Sequence, residues 1–174
     1  MARPPRWFKF RDTNYQIPDE EKVSVFEVNG RMHSWLEHDY DTPTYFVDGA
    51  CRNNGLENAK GACAYFSGPS CYNSWEDPAG TSTSNTAELN AIFGALGKAR
   101  KQKENDIKIL TDSQYAVNAI NGNRNKRIGE DVANQQLLKR IQNKMRGMRV
   151  DILHISREKN QIADRLAKEK LSQL

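Results

Sequence analysis

Four acidic residues stand where a carboxylate is costly unless it has work to do. Asp48 follows Tyr45-Phe46-Val47 in an apolar run that reads as a strand, and Asp is depleted in strands and seldom buried alone. Glu88 lies near the apolar stripe of a helix, one turn before Ile92. Asp112 closes the short apolar run Ile107–Leu110, at the kind of strand end where parallel sheets bind ligands. Asp164 falls inside the last helix. Grouped carboxylates repel one another, and hard divalent cations offset that charge. Mg²⁺ binds through a few carboxylates together with waters and substrate phosphate. A pair of such ions can clamp the attacking and leaving oxygens of a phosphodiester. Each acid also has a local alternative. Asp48 could be a turn residue before Gly49, and Glu88 could close a capping box with Asn85. Asp112 could cap the helix that follows it, and Asp164 could pair with Lys168 four residues on.

The elements that must carry these residues are legible from Thr44 onward. Thr44 to Ala50, Lys60 to Phe66 and Tyr72 to Glu76 read as strands, with Asn53-Asn54-Gly55 as turn chemistry between the first two. Asn85 to Arg100 reads as a helix, with Leu89, Ile92, Leu96 and Ala99 on one stripe. A strand Ile107–Asp112, a short helix Ser113–Ile120 and a helix Glu130–Met145 follow. Met148 to Ile155 is a strand, and Asn160 to Leu171 a helix with Asn160 as its N-cap. The order is β-β-β-α-β-α-α-β-α. Early hairpins suit antiparallel pairing and later crossovers suit parallel pairing, so a mixed sheet with helices on its faces is expected.

Residues 1–43 differ from the rest and read as an N-terminal extension. Val23 to Val28 and Arg31 to Leu36 flank Asn29-Gly30, a hairpin signal because both turn residues tolerate positive φ. The polar link Glu37 to Pro43 follows.

The chain has 174 residues, 37% hydrophobic and 28% charged, which is enough for one globular domain plus an extension. No apolar run approaches the roughly 18 residues that a membrane helix needs, and no signal-peptide pattern opens the chain, so an intracellular protein is expected. Three cysteines, Cys51, Cys63 and Cys71, without a C-x-x-C, point to neither a disulfide framework nor a zinc site. Residues 1–97 hold 8 Lys/Arg against 13 Asp/Glu, whereas residues 98–174 hold 18 against 9. The basic half suits a polyanionic partner, or equally the solvated faces of its helices.

At this point four segments resemble type 1 ribonuclease H. Tyr45-Phe-Val-Asp48-Gly-Ala-Cys-Arg-Asn-Asn54-Gly is similar to the family's first-strand motif. Thr83-Ser84-Asn85-Thr86-Ala87-Glu88-Leu89 resembles its T-N-x-x-A-E-L helix start. Leu110-Thr111-Asp112-Ser113-Gln114-Tyr115 resembles its T-D-S-x-Y strand end, and Asn160-Gln-Ile-Ala-Asp164-Arg-Leu-Ala167 its N-x-x-A-D-x-L-A helix. The four occur in order over residues 44–174, each on the expected element. The resemblance implies the ribonuclease H-like α/β fold, a five-stranded mixed sheet of order 3-2-1-4-5 with helices on both faces. It implies an endonuclease that cleaves the RNA strand of an RNA–DNA hybrid with two Mg²⁺ ions, Mn²⁺ being a possible substitute, and leaves 3′-hydroxyl and 5′-phosphate ends. Asp48 would bridge both ions, Asp164 would bind the one that activates water, and Glu88 and Asp112 would hold the second. Asn54, Ser84 and Asn85 match positions that contact the RNA 2′-hydroxyl, Gln114 lies near the scissile region, and Thr83 matches a DNA-phosphate contact. The partner implied is the hybrid, taken by a monomer, with a protein partner open to the extension.

The sequence departs from the family at three places. Asn121 to Glu130 replaces a tryptophan-bearing basic insertion, although Arg124, Lys126 and Arg127 keep positive charge, so weaker or more salt-sensitive binding is expected. Ser156 to Lys159 is a short connection without the family's loop histidine, and the alternation of Val150, Ile152 and His154 assigns His154 to the strand. Thr81 stands where some members carry a basic residue. The competing reading is a weakly active or inactive module of the same fold that binds nucleic acid or protein. A proofreading-type exonuclease is disfavoured because Asp48-Gly49-Ala50 lacks D-x-E.

Overall fold

The computed structural model describes residues 7–10, 13–16, 42–54, 56–68, 71–78, 82–121 and 128–174. Near the start, Trp7–Phe10 (β1) and Thr13–Gln16 (β2) pair antiparallel, with Trp7 opposite Gln16 and Phe10 opposite Thr13. The sequence reading did not anticipate this pair, whose alternation is too short to stand out. The hairpin expected around Asn29-Gly30 lies outside the described residues, as do Thr81, Gly55 and the basic residues Arg124, Lys126 and Arg127.

The five strands expected from Thr44 onward form one sheet. They are Thr44–Arg52 (β3), Lys60–Phe66 (β4), Tyr72–Glu76 (β5), Asp106–Thr111 (β6) and Arg149–His154 (β7). Their spatial order is β5-β4-β3-β6-β7, which is 3-2-1-4-5 counted from Thr44. β3, β4 and β5 pair antiparallel through short connections. β3, β6 and β7 pair parallel, because helical crossovers join β5 to β6 and β6 to β7.

Strand alternation sends successive side chains to opposite faces, and here both faces are covered. Tyr45, Val47, Cys63, Tyr65, Ile107 and Ile109 meet one layer of helices. That layer contains Ser84–Lys101 (α1), Gln114–Ile120 (α2) and Ile128–Met145 (α3), and contributes Leu89, Ile92, Leu96, Ile120 and Ile141 to the shared core. The alternate residues Phe46, Ala62, Ala64, Phe66 and Leu110 are also buried. Over β3, β4 and β5 lies Gln161–Ser172 (α4), whose Ile162, Ala163, Leu166 and Ala167 are buried. Alanines on both partners let this helix sit close to the strands. A short 3₁₀ turn, Arg157–Lys159, leads into it. Among the described residues no helix is long and apolar enough to cross a membrane. Cys51, Cys63 and Cys71 are all free thiols.

Candidate active site

The site is built where the parallel pairing of two neighbouring strands ends. Val47 of β3 lies opposite Thr111 of β6, so Asp48 and Asp112 are each one residue past a paired position. The third carboxylate arrives from α1. This helix approaches β3 closely because residue 49 is glycine. A Cβ there would fall deep inside contact distance of Ala87 C and Glu88 N. The Gly49 N–H donates to Glu88 Oε2 at 3.0 Å, and the Thr111 hydroxyl donates to Glu88 Oε1 at 3.3 Å. Carboxylate oxygens of Asp48, Glu88 and Asp112 consequently lie within 4.8 Å of one another.

The local alternatives for two of these acids fail on the structure. The capping box of α1 is formed by Thr83 and Thr86, each bonding the other's backbone N–H, rather than by Asn85 and Glu88. Glu88 is thereby left to face the sheet, where it is buried. The cap of α2 is Ser113, whose hydroxyl accepts from the Ala116 N–H at 3.1 Å, not Asp112. β6 also ends at Thr111, one residue before the expected boundary, which frees Asp112 from the ladder.

Asp164 behaves differently. It is half-buried on the first turn of α4, and its Oδ2 is held by Lys168 at 3.2 Å, the ion pair that spacing alone suggested. It stands outside the tight trio yet near enough to Asp48 to act on it. Its approach is governed by Asn160. Asn160 holds the N-cap position of α4 as expected, and its carbonyl accepts from the Asp164 N–H at 3.1 Å, but its side chain makes no cap hydrogen bond. Its amide Nδ2 instead donates to the Val47 carbonyl at 2.8 Å and to Asp112 Oδ2 at 3.3 Å. One buried side chain therefore ties the start of α4 to both carboxylate-bearing strands.

The electrostatic consequence is strong. Asp48 is pushed up to about 11, first by burial, then by the hydrogen bond and charge of Glu88, with Asp112 and Asp164 adding to it. Glu88 is also raised, chiefly by burial, against the hydrogen bonds from Gly49 and Thr111 that favour its charge. Two carboxylates that resist ionising this much call for a compensating positive charge, and their hard oxygen donors, with those of Asp112 beside them, fit a divalent cation.

The expected substrate-side residues sit at the start of α1 and beyond β6. Asn54 is exposed, and its Oδ1 accepts from the Ser84 N–H at 3.1 Å, so the β3–β4 turn is pinned to the helix start. Thr83 is the N-cap, while Ser84 and Asn85 are exposed beside it. Gln114 is exposed on α2 and bonds Asn118 at 3.0 Å. His154 is the exposed last residue of β7, in keeping with its assignment to the strand.

Sequence reasoning missed Asp77. One residue past β5, it is a buried carboxylate that gathers the approach to α1. It accepts from Ser82 Oγ at 2.7 Å, Thr86 Oγ1 at 3.0 Å and Asn90 Nδ2 at 2.6 Å. Nothing local to residue 77 signals a partner thirteen positions away. The roles of Gly49 and Thr111 were equally invisible, because each depends on how closely α1 meets the sheet.

The profile of the RNase H family matches residues 41–172. The chain belongs to this family. Ribonuclease H1 of Rattus norvegicus is 29% identical over 138 residues, covering 71% of this chain and 48% of the rat protein. Human ribonuclease H1 is 27% identical over 143 residues, covering 74% of this chain and 50% of its own length. The chain thus spans about half the length of the curated relatives it matches. Among solved structures, RNase H1 of Halobacterium salinarum superimposes with a TM-score of 0.64 at 25% identity, over 75% of this chain and 98% of the other. LC11-RNase H1, solved in complex with an RNA/DNA hybrid, shares the fold with a TM-score of 0.59 at 19% identity, over 75% and 96% of the two chains. The RNase H fold and the order of the sheet are therefore common ground with these proteins.

Proposed function

We propose that this RNase H family member is an endoribonuclease that cleaves the RNA strand of RNA–DNA hybrids. The observation that carries the reading is the trio of buried Asp48, buried Glu88 and half-buried Asp112, with oxygens within 4.8 Å of one another. Asp48, Glu88 and Asp112 would hold the metal, with Asp164 as the fourth carboxylate. When bound, two Mg²⁺ ions supply an activated water and neutralise the charge of the leaving oxygen, and Mn²⁺ can stand in for them. The residues of the chain orient the rest. Thr111 and the Gly49 N–H fix the two oxygens of Glu88. Asn160 fixes Asp112. Asn54, Ser84 and Asn85 are grouped at the start of α1, where they can read a 2′-hydroxyl and so separate RNA from DNA. Thr83 would meet the DNA phosphate, Gln114 would lie along the scissile strand, and the products would carry 3′-hydroxyl and 5′-phosphate ends.

The test is cleavage of an end-labelled hybrid beside double-stranded RNA and double-stranded DNA of one sequence, with Mg²⁺, Mn²⁺ or EDTA. Metal-dependent cutting of the hybrid's RNA strand alone is expected. Asp48→Asn should lower the rate by about 10³-fold, the scale of losing several kcal/mol of charge stabilisation. Folded protein that cuts nothing under either metal would overturn the reading and leave a binding module.

A further inference from the structure

The opposite end of α1 carries a second feature that the carboxylates do not use. An open groove of about 700 Å³ runs between this helix, the edge strand β5 and the end of α3. Lys98, Arg100, Lys101 and Lys144 line it, and no carboxylate does. None of the three lysines is ion-paired among the described residues. Arg100 is held in place, since its guanidinium donates to the backbone carbonyls of Lys144 and Arg146 and locks the end of α3 against α1. The remaining walls are Tyr65, Asn73 and Trp75.

Two glycines in the helix make the groove possible, and they have different reasons. Gly94 is required by packing, because a Cβ there would strike the Trp75 ring. Gly97 is not, because a Cβ there would meet nothing within 4 Å. Glycine inside a helix is destabilising relative to alanine, so a second one without a packing reason calls for another cause. At Gly97 the effect is to keep the groove open beside the indole.

We infer that this groove is a second nucleic-acid site, which takes a single-stranded phosphodiester chain, with phosphates on Lys98, Lys101 and Lys144 and a base against Trp75. A cationic track with an aromatic platform is how unpaired strands are held without sequence preference. The groove is open rather than enclosed, which suits a passing chain better than a mononucleotide. Its distance from the cleavage site follows from the helix. Ten residues separate Glu88 from Lys98, about 15 Å along the axis. The inference goes beyond the cleavage reading, and none of the four carboxylates enters it.

The test uses the full chain and a labelled single-stranded DNA of about 20 nucleotides, longer than a typical single-domain site. Binding is followed by anisotropy and by the fluorescence of Trp75, isolated as the difference between wild type and Trp75→Phe. Expected are quenching of Trp75 by the strand and about fivefold weaker binding in Gly97→Glu, which adds a like charge. The uncharged blocker Gly97→Leu should also weaken binding. Lys98→Ala/Lys101→Ala should lower the slope of log affinity against log salt by about 1.4, at about 0.7 per phosphate. Unchanged affinity in both Gly97 variants, or no Trp75 quenching, would overturn the site. So would AMP quenching Trp75 as well as the strand does, or a polyglutamate peptide displacing the strand as well as DNA. Cleavage of a blunt hybrid by Gly97→Glu should stay within about twofold of wild type, as for distant independent positions. Loss of cleavage in the wild type would strike the proposed function and leave the groove result standing.

Discussion

The two ends of α1 solve opposite problems with one helix. At its start, Thr83 and Thr86 cap one another, and Thr86, Asn90 and Glu88 are drawn into hydrogen bonds with Asp77, Gly49 and Thr111. Carboxylates are buried there, and their oxygens are held by specific donors. At its end, Lys98, Arg100 and Lys101 stand beside an open groove, and a glycine keeps space empty. The first end is built to hold groups still against their own repulsion. The second exposes charge at little cost, because water solvates it until a partner arrives. A site that positions reacting atoms must be rigid, whereas one that tracks a chain needs only charge and room.

The sharpest way to break this contrast is at Gly49. Gly49→Ala pushes a methyl into the backbone of Ala87 and Glu88, which no flexible side chain can relieve. A stability loss of about 3 kcal/mol is expected in denaturant unfolding, the upper range for overpacking, and cleavage should fall with it. A near-neutral result would mean that α1 can stand off from the sheet. Next is Asp77→Ala, which leaves the donors of Ser82, Thr86 and Asn90 without this acceptor. It should cost roughly 2–3 kcal/mol, and residual cleavage should show a lower kcat because Glu88 loses its frame.

Another effect concerns pH. Asp48 has an ordinary value of 3.8 and is pushed up to about 11 by burial and by Glu88. Glu88 moves in the same direction. In metal-free protein the folded state therefore keeps protons that the unfolded chain has already released. Their contribution is fully present below about pH 4 and is lost as pH rises towards 11. Thermal melts in EDTA should show Tm falling across that window. Mg²⁺ should flatten the fall, and so should Asp48→Asn. A metal-free Tm that rises from pH 5 to 8 would contradict the burial of Asp48 and Glu88 as a close pair. The smallest effect is at the far end of the helix. Gly97→Ala meets open space and should stabilise the protein by about 0.5–1 kcal/mol, the helix-propensity difference, with cleavage unchanged.

Much of this protein was legible without coordinates. The apolar run in Thr44 to Ala50 and the stripe through Leu89, Ile92 and Leu96 are local patterns, and local patterns decide element type. Bounds came within two residues for most elements, and the alternation of hairpins and crossovers led to the mixed sheet, while its order 3-2-1-4-5 was implied by the family resemblance. The four acids were legible as a set because each was odd for its element.

What the sequence by itself determined, then, was which residues are available and on which strand or helix each one rides. Only the tertiary structure decided what each residue does. Thr83 and Thr86 took the capping box and so released Glu88. Ser113 took the cap and released Asp112. Asn160 stayed the N-cap of its helix but turned its side chain to bridge Val47 and Asp112, while Asp164 kept its local partner Lys168. Local spacing offers a polar side chain several partners of similar energy. The choice falls to whichever backbone approaches from far along the chain, and that approach is set by small residues such as Gly49 whose meaning appears only in contact.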